Sequence, residues 1–252
     1  MTQTLLTEVL LASLLRSVLV SSFACLLLPF FFRWIQQSPS RSSRQIRQLL
    51  CLLPFFAPDL LTGFHYRLTA SAWAGVLGGL SYVLTTELLY AALQLFRAVA
   101  MGVLLQHIVP DPPDNRESLF TWQLLRGRVP RFRWYAEWLR MHLAGPWRTP
   151  LLTWSVTAVV IFQEFETAAL MQIDQHPWSW TVWLFDAHAA WQPLATSLKL
   201  AGQGLLTELL LLLPGIAAVS SSLNTRQQQP RTPLSSVALN SAAAVAVRFF
   251  IT

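Results

Sequence analysis

Apolar stretches about twenty residues long recur along this chain, and one polar, arginine-rich segment of forty residues, 110–149, interrupts them. A helix needs about 20 mostly apolar residues to cross the hydrocarbon core of a bilayer. Six stretches meet that requirement, near residues 5–32, 49–66, 73–96, 150–171, 198–220 and 234–251. In hydrocarbon a backbone must satisfy its own hydrogen bonds, so spans of this kind are helical. The expected fold is all-α, a polytopic membrane helix bundle of about six transmembrane helices in a single transmembrane domain over residues 1–252. Pro54 and Pro58 predict a kink in the second span. The first span has no preceding Lys or Arg and carries Arg16 inside it, which predicts a retained span and not a cleaved signal peptide.

Composition excludes most soluble alternatives. Apolar residues make up 54% of the chain and charged residues only 12%, where a soluble domain carries about 25% charged. Of the eighteen basic residues only Lys199 is a lysine, and the arginines concentrate in a few loops. That clustering argues against nucleic-acid binding and for control of topology by positive loops. Cys25 and Cys51 both fall in apolar runs and read as small buried hydrophobes.

The arginines also predict an orientation. Arg33, Arg41, Arg44 and Arg47 fill the first loop, seven arginines from Arg116 to Arg148 fill the long one, and Arg226 and Arg231 occupy the last. Alternating spans put these three loops on one side, expected to be the cytoplasm of a cell whose inner (plasma) membrane holds the chain. The N-terminus and an outer-face segment, 172–197, with Asp174 and Asp186, are then outside. His176 and His188 share that segment without a metal-ligand spacing, and His65, His107 and His142 lie elsewhere. Trp178, Trp180, Trp183 and Trp191 around them are expected as half-wet interfacial anchors. Gly75, Gly78 and Gly79 suggest a close helix approach.

Acids at membrane depth carry the functional signal. A charged group at the centre of a span costs about 2.5 to 3.5 kcal/mol on insertion scales and usually faces protein or water. Glu87, Glu164, Glu166 and Glu208 are therefore candidates to line a solute path. The competing expectation is structural, with an acid serving as a buried partner for Arg97 or for a helix-end amide. Glu164 and Glu166 lie two apart, about 200° around a helix, and cannot share a narrow face. In the polar segment, Arg alternates with Trp122, Phe132, Trp134, Tyr135 and Trp138. Such a patch suits either protein docking or the lipid headgroup layer.

The order Leu52-Leu53-Pro54-Phe55-Phe56-Ala57-Pro58, then Thr86-Glu87-Leu88-Leu89-Tyr90-Ala91, then the polar segment, then Val159-Val160-Ile161-Phe162-Gln163-Glu164-Phe165-Glu166-Thr167-Ala168-Ala169-Leu170, resembles the permease subunit of a binding-protein-dependent ABC importer. The iron(III)-type branch is the nearest, and the likeness covers roughly residues 49–220. It implies a coupling helix in the polar segment that docks an ABC ATPase subunit, and a path lined by the acid-bearing span after it. A second permease subunit or a second copy, and a periplasmic solute-binding protein on the outer segment, are the other partners it implies. The family's coupling signature is Glu-Ala-Ala, three residues, Gly, nine residues, then Ile-x-Leu-Pro. With Met141, Leu143 and Ala144 at its tail, Arg131 takes the Gly position and Leu125-Arg126-Gly127 the head; Glu117 is the alternative head, and Trp138 lies between. The signature is not fulfilled, which keeps a second expectation open: a non-transporting scaffold or regulatory subunit derived from a permease. The chain has no Walker loop, nucleophile elbow or dinucleotide fingerprint. No enzymatic activity or cofactor of its own is expected, and any ATP hydrolysis falls to a partner.

Overall fold

The computed structural model describes residues 3–76, 82–109, 130–145, 147–171, 179–189 and 193–228. Every regular element among them is a helix: α1 Gln3–Gln36, α2 Arg41–Phe56, α3 Asp59–Val76, α4 Tyr82–Ile108, α5 Arg131–Ala144, α6 Arg148–Gln163, α7 Glu166–Met171, α8 Trp180–Ala189 and α9 Leu194–Gln228. Three of these contain stretches long and apolar enough to cross a membrane, Thr7–Gln36, Tyr82–Ile108 and Leu194–Ser221. A fourth crossing results if α2 and α3, bent by 82° at their junction, act as one broken span. Among the described residues the chain is thus all-helical, with three helices long and apolar enough to span a membrane. The expected sixth span, 234–251, lies outside the described residues.

The lateral surface suits apolar surroundings. On α1, Leu11, Leu15, Leu19, Phe23, Leu26 and Phe30 recur at three- and four-residue spacing and are exposed, while Ser13, Ser17, Ser21 and Ala24 on the opposite face are buried. In water that stripe would be a large exposed apolar patch. In lipid the logic reverses, because small and polar residues let helices approach and large apolar ones face the hydrocarbon. The serine hydroxyls donate along α1 itself, Ser17 to the carbonyl of Ser13 at 2.7 Å and Ser21 to that of Ser17 at 2.6 Å. The hydroxyl of Ser13 in turn accepts from the backbone N–H of Trp180 at 2.8 Å.

The central helix is α6, which touches α1, α4, α5, α8 and α9. Its buried face is Thr153, Ser155, Thr157, Ala158, Ile161 and Phe162. Opposite Ser155 stands Gly215, one residue after Pro214, and its backbone N–H donates to Ser155 Oγ at 2.9 Å. A Cβ at Gly215 would meet Ser155 Cβ at 3.0 Å. Gly215→Val therefore pushes α9 off α6 and should cost about 1–3 kcal/mol of overpacking. Ser155→Ala, which removes only the acceptor, should cost about 0.6 kcal/mol. Thermal unfolding of the purified protein in detergent separates the two.

Several expectations are corrected. The 150–171 run is not one helix: α6 stops at Gln163, Glu164 is extended (φ −64°, ψ 125°), and the chain restarts as α7. The 73–96 span is displaced to Tyr82–Ile108, so Arg97 lies inside the helix and not at its end. Trp180 and Trp183 are core residues, 2% and 4% exposed, with stacked rings, and not half-wet anchors. The bare face of Gly204 admits the Trp180 indole, whose Nε1 lies 2.6 Å from where a Cβ would be. Gly75 makes no close approach. Cys51 is buried beside Leu28, Ile35 and Val103, whereas Cys25 is only half-buried.

That Cys51 cluster gathers the end of α1, the second half of α2 and the end of α4, and beside it Gln48 Nε2 and His107 Nε2 lie 2.6 Å apart. Arg33, Arg41, Arg44 and Arg47 belong to the same end, where Arg47 donates to the carbonyl of Trp34 and covers its ring. From the polar segment the structure describes α5, packed against α6 and α9, with Phe132, Tyr135 and Leu139 on its exposed side. Trp138 is turned the other way, onto His142 and Trp147.

Candidate functional site

Glu87, Tyr90, Gln94 and Arg97 follow one another on α4 at spacings of three, four and three residues, which places all four on one helix face. An apolar helix with such a polar stripe must bury it against partners, because an unpaired charge at membrane depth is expensive. The partners come from α1, α3, and the broken α6–α7 segment.

At the top of the stripe Arg16, from the middle of α1, donates through Nη2 to Glu87 Oε2 at 2.6 Å. The two side chains are 11% and 22% exposed. Arg16 Nη1 also donates to Ser179 Oγ at 3.0 Å, and its guanidinium covers the Tyr90 ring at 4.8 Å. One turn on, the Tyr90 hydroxyl donates to Glu164 Oε2 at 2.6 Å. Glu164 is the hub. Its Oε1 accepts from the N–H of Thr167 at 2.7 Å and its Oε2 from that of Ala168 at 3.1 Å, so the carboxylate caps the first turn of α7. The Thr181 hydroxyl of α8 donates to the Glu164 carbonyl at 2.7 Å. Arg97 completes the chain, donating to Thr167 Oγ1 at 3.0 Å and to Thr62 Oγ1 of α3 at 3.1 Å. Its Nη1 lies 4.0 Å from Glu164 Oε1, and these two side chains are 14% and 10% exposed. Among the described residues, two cations and two anions thus meet within one network.

Beside Arg97 and Glu164 opens a cavity of about 230 Å³. Gln94, Arg97, Thr157 and Glu164 form its polar wall, and Phe55, from the end of α2, is part of its apolar wall. Both interrupted helix pairs, α2–α3 and α6–α7, thus contribute to the same region.

Of the four acids expected to line a path, the structure joins Glu87 and Glu164 and separates the others. Glu166 is exposed on the first turn of α7. Glu208, on α9, accepts from Gln163 Nε2 at 2.9 Å near the surface. Among the coupling candidates, Arg131, Trp138, Met141 and Leu143 fall on α5, and Glu117, Arg126 and Gly127 lie outside the described residues. Asp174 and His176 also lie outside them, and no three His, Cys, Asp or Glu side chains among the described residues are grouped to hold a metal ion. Tyr90 and Gln94 were not singled out from sequence. Their signal was the spacing of polar side chains between Glu87 and Arg97 inside an apolar run. Comparison of the chain with family models, curated proteins and solved structures returns no match.

Proposed function

We propose that this chain is the membrane-spanning permease subunit of an ABC-type importer, forming part of a solute path and docking a partner ATPase through its arginine-rich cytoplasmic segment. The observation that carries it is the break in α6–α7 at Glu164, beside a cavity and a buried charge network. Interrupted helices at membrane depth are costly unless protein or a water-filled cavity surrounds them, and transporters use such breaks to build solute sites. The exposed Phe132, Tyr135 and Leu139 on α5 supply an apolar face of the kind a partner protein covers. In this reading the arginine-bearing end is cytoplasmic, the N-terminus is outside, the membrane is the inner one, and a second permease chain or copy closes the path.

The test is purification of the full chain from its native membrane in mild detergent. A P-loop ATPase should copurify, and its recovery should fall at least tenfold when Phe132, Tyr135 and Leu139 are all replaced by serine. A monodisperse chain that brings down no ATPase would overturn the proposal. One observation favours a second reading, a non-transporting scaffold or regulatory subunit: every oxygen of the Glu164 carboxylate is already engaged within the fold.

A further inference from the structure

α2 and α6 each pack along α4, and α4 forms the floor of the cavity of about 230 Å³ that they flank. Phe55 of α2 and Val160 of α6 line it and are 45% and 44% exposed, so the cavity opens on the lateral surface of the helices. The charges at its edge are already engaged within the fold. Glu164 accepts from two backbone N–H groups and the Tyr90 hydroxyl, and Arg97 is held by Thr62, Thr167 and Glu164. Thr157 spends its hydroxyl proton on the carbonyl of Thr153 at 2.7 Å. Gln94 differs from these: it is 1% exposed and lines the cavity, yet among the described residues its Nε2 has no hydrogen-bond partner. Native folds rarely bury an amide donor without an acceptor, so a donor kept in that state beside a cavity marks a place where something else accepts. Water fills such a space poorly, because each molecule needs two to four polar partners and the neighbouring polar groups are committed elsewhere.

The depth of Gln94 narrows the choice of ligand. It lies near the middle of α4, about 18 Å from the Tyr82 end and about 21 Å from the Ile108 end at about 1.5 Å per residue. In a hydrocarbon core about 30 Å thick that position is near the midplane, well below the headgroups and the ester groups beside them. A charged ligand would find no free counter-charge there, since Arg97 and Glu164 are engaged with each other and with their neighbours. We infer that the cavity between α2, α4 and α6 binds a neutral, carbonyl-bearing apolar molecule of the ketone or quinone class, dissolved in the bilayer interior. Its carbonyl oxygen accepts from Gln94 Nε2, and its carbon skeleton lies against Phe55, Met101 and Val160. The apolar walls give the affinity and the single amide donor fixes the orientation. The inference concerns binding and stands whether or not the chain moves solute.

The experiment is equilibrium dialysis of the full chain in zwitterionic nanodiscs with labelled 2-undecanone and its isostere 2-methylundecane, in which a methyl group replaces the carbonyl oxygen, corrected for empty discs. The ketone should bind saturably and about tenfold more tightly than the isostere, the difference one buried hydrogen bond makes. Gln94→Leu should abolish that difference while leaving the isostere's binding unchanged. It should also raise the melting temperature of the unliganded protein, because an unpaired buried amide is removed. Val160→Phe, which narrows the cavity without touching the amide, should weaken the binding of both compounds. No saturable binding of the ketone, equal binding of the two compounds, or a preference for the ketone that survives in Gln94→Leu would each overturn the inference. So would a lowered melting temperature in Gln94→Leu, which gives the amide an acceptor within the fold, or ketone binding unchanged by Val160→Phe, which places the ligand elsewhere.

Discussion

Arg16→Met is expected to destabilise the folded chain by about 3–5 kcal/mol, the range for removing one partner of a buried ion pair. The substitution keeps an unbranched side chain of similar reach but leaves the Glu87 carboxylate, 22% exposed, without the guanidinium at 2.6 Å that neutralises it. It also removes the donor to Ser179 and the cation over the Tyr90 ring, which ties α1 to α4 and to the segment leading into α8. The double variant Arg16→Met with Glu87→Leu should recover most of that loss. Replacing a buried pair by apolar residues is often neutral or stabilising, whereas breaking it strands a charge. Detergent-denaturation midpoints of the single and double variants decide this. If Arg16→Met alone proves as stable as the natural chain, the pair is hydrated in solution and the network is looser than its geometry implies.

The all-helical architecture and its long apolar helices were legible because they depend on run length and composition, which a bilayer would constrain directly. The break at α2–α3 was partly legible too. Pro54 sits within α2 and is tolerated there, while Pro58 lies at the bend. The break at Glu164 was not legible. Residues 159–170 contain no Gly or Pro, and nothing local distinguishes them from a continuous helix. What interrupts the helix is tertiary: Tyr90 from α4 and Arg97 two turns below it hold Glu164 inward, where its carboxylate takes over two backbone amides of α7. Arg97 was legible as a buried partner for one of the membrane acids, but its place within α4 was not, because the apolar run ends before it and the hydroxyls of Thr62 and Thr167 that meet it come from other helices. The pairing of Arg16 with Glu87 spans 71 residues, a separation that spacing cannot reveal.

The second large effect falls on Glu164, where two substitutions separate structure from transport. Glu164→Ala removes the α7 cap, the acceptor for the Tyr90 hydroxyl and the negative neighbour of Arg97 together, and should cost about 3–5 kcal/mol. Glu164→Gln keeps one acceptor oxygen for the α7 N–H groups of Thr167 and Ala168, which in the natural chain meet two different oxygens, but turns the other into a donor and carries no charge opposite Arg97. Its stability cost should be smaller, about 1–3 kcal/mol, the penalty of weakened hydrogen bonds to a formerly charged group. Yields of monodisperse protein and thermal midpoints should therefore rank natural chain, Gln and then Ala. On the permease reading, Glu164→Gln also lowers uptake in reconstituted vesicles at least tenfold, because the balance between Glu164 and Arg97 beside the cavity is what a passing solute would perturb. Loss of uptake with the fold intact assigns Glu164 to the path. Unchanged uptake at a lowered thermal midpoint makes it a helix cap alone, and the solute path must then avoid this network. A chain with no measurable uptake in any form, and no ATPase partner, leaves the buried charges as the cohesive core of a scaffold.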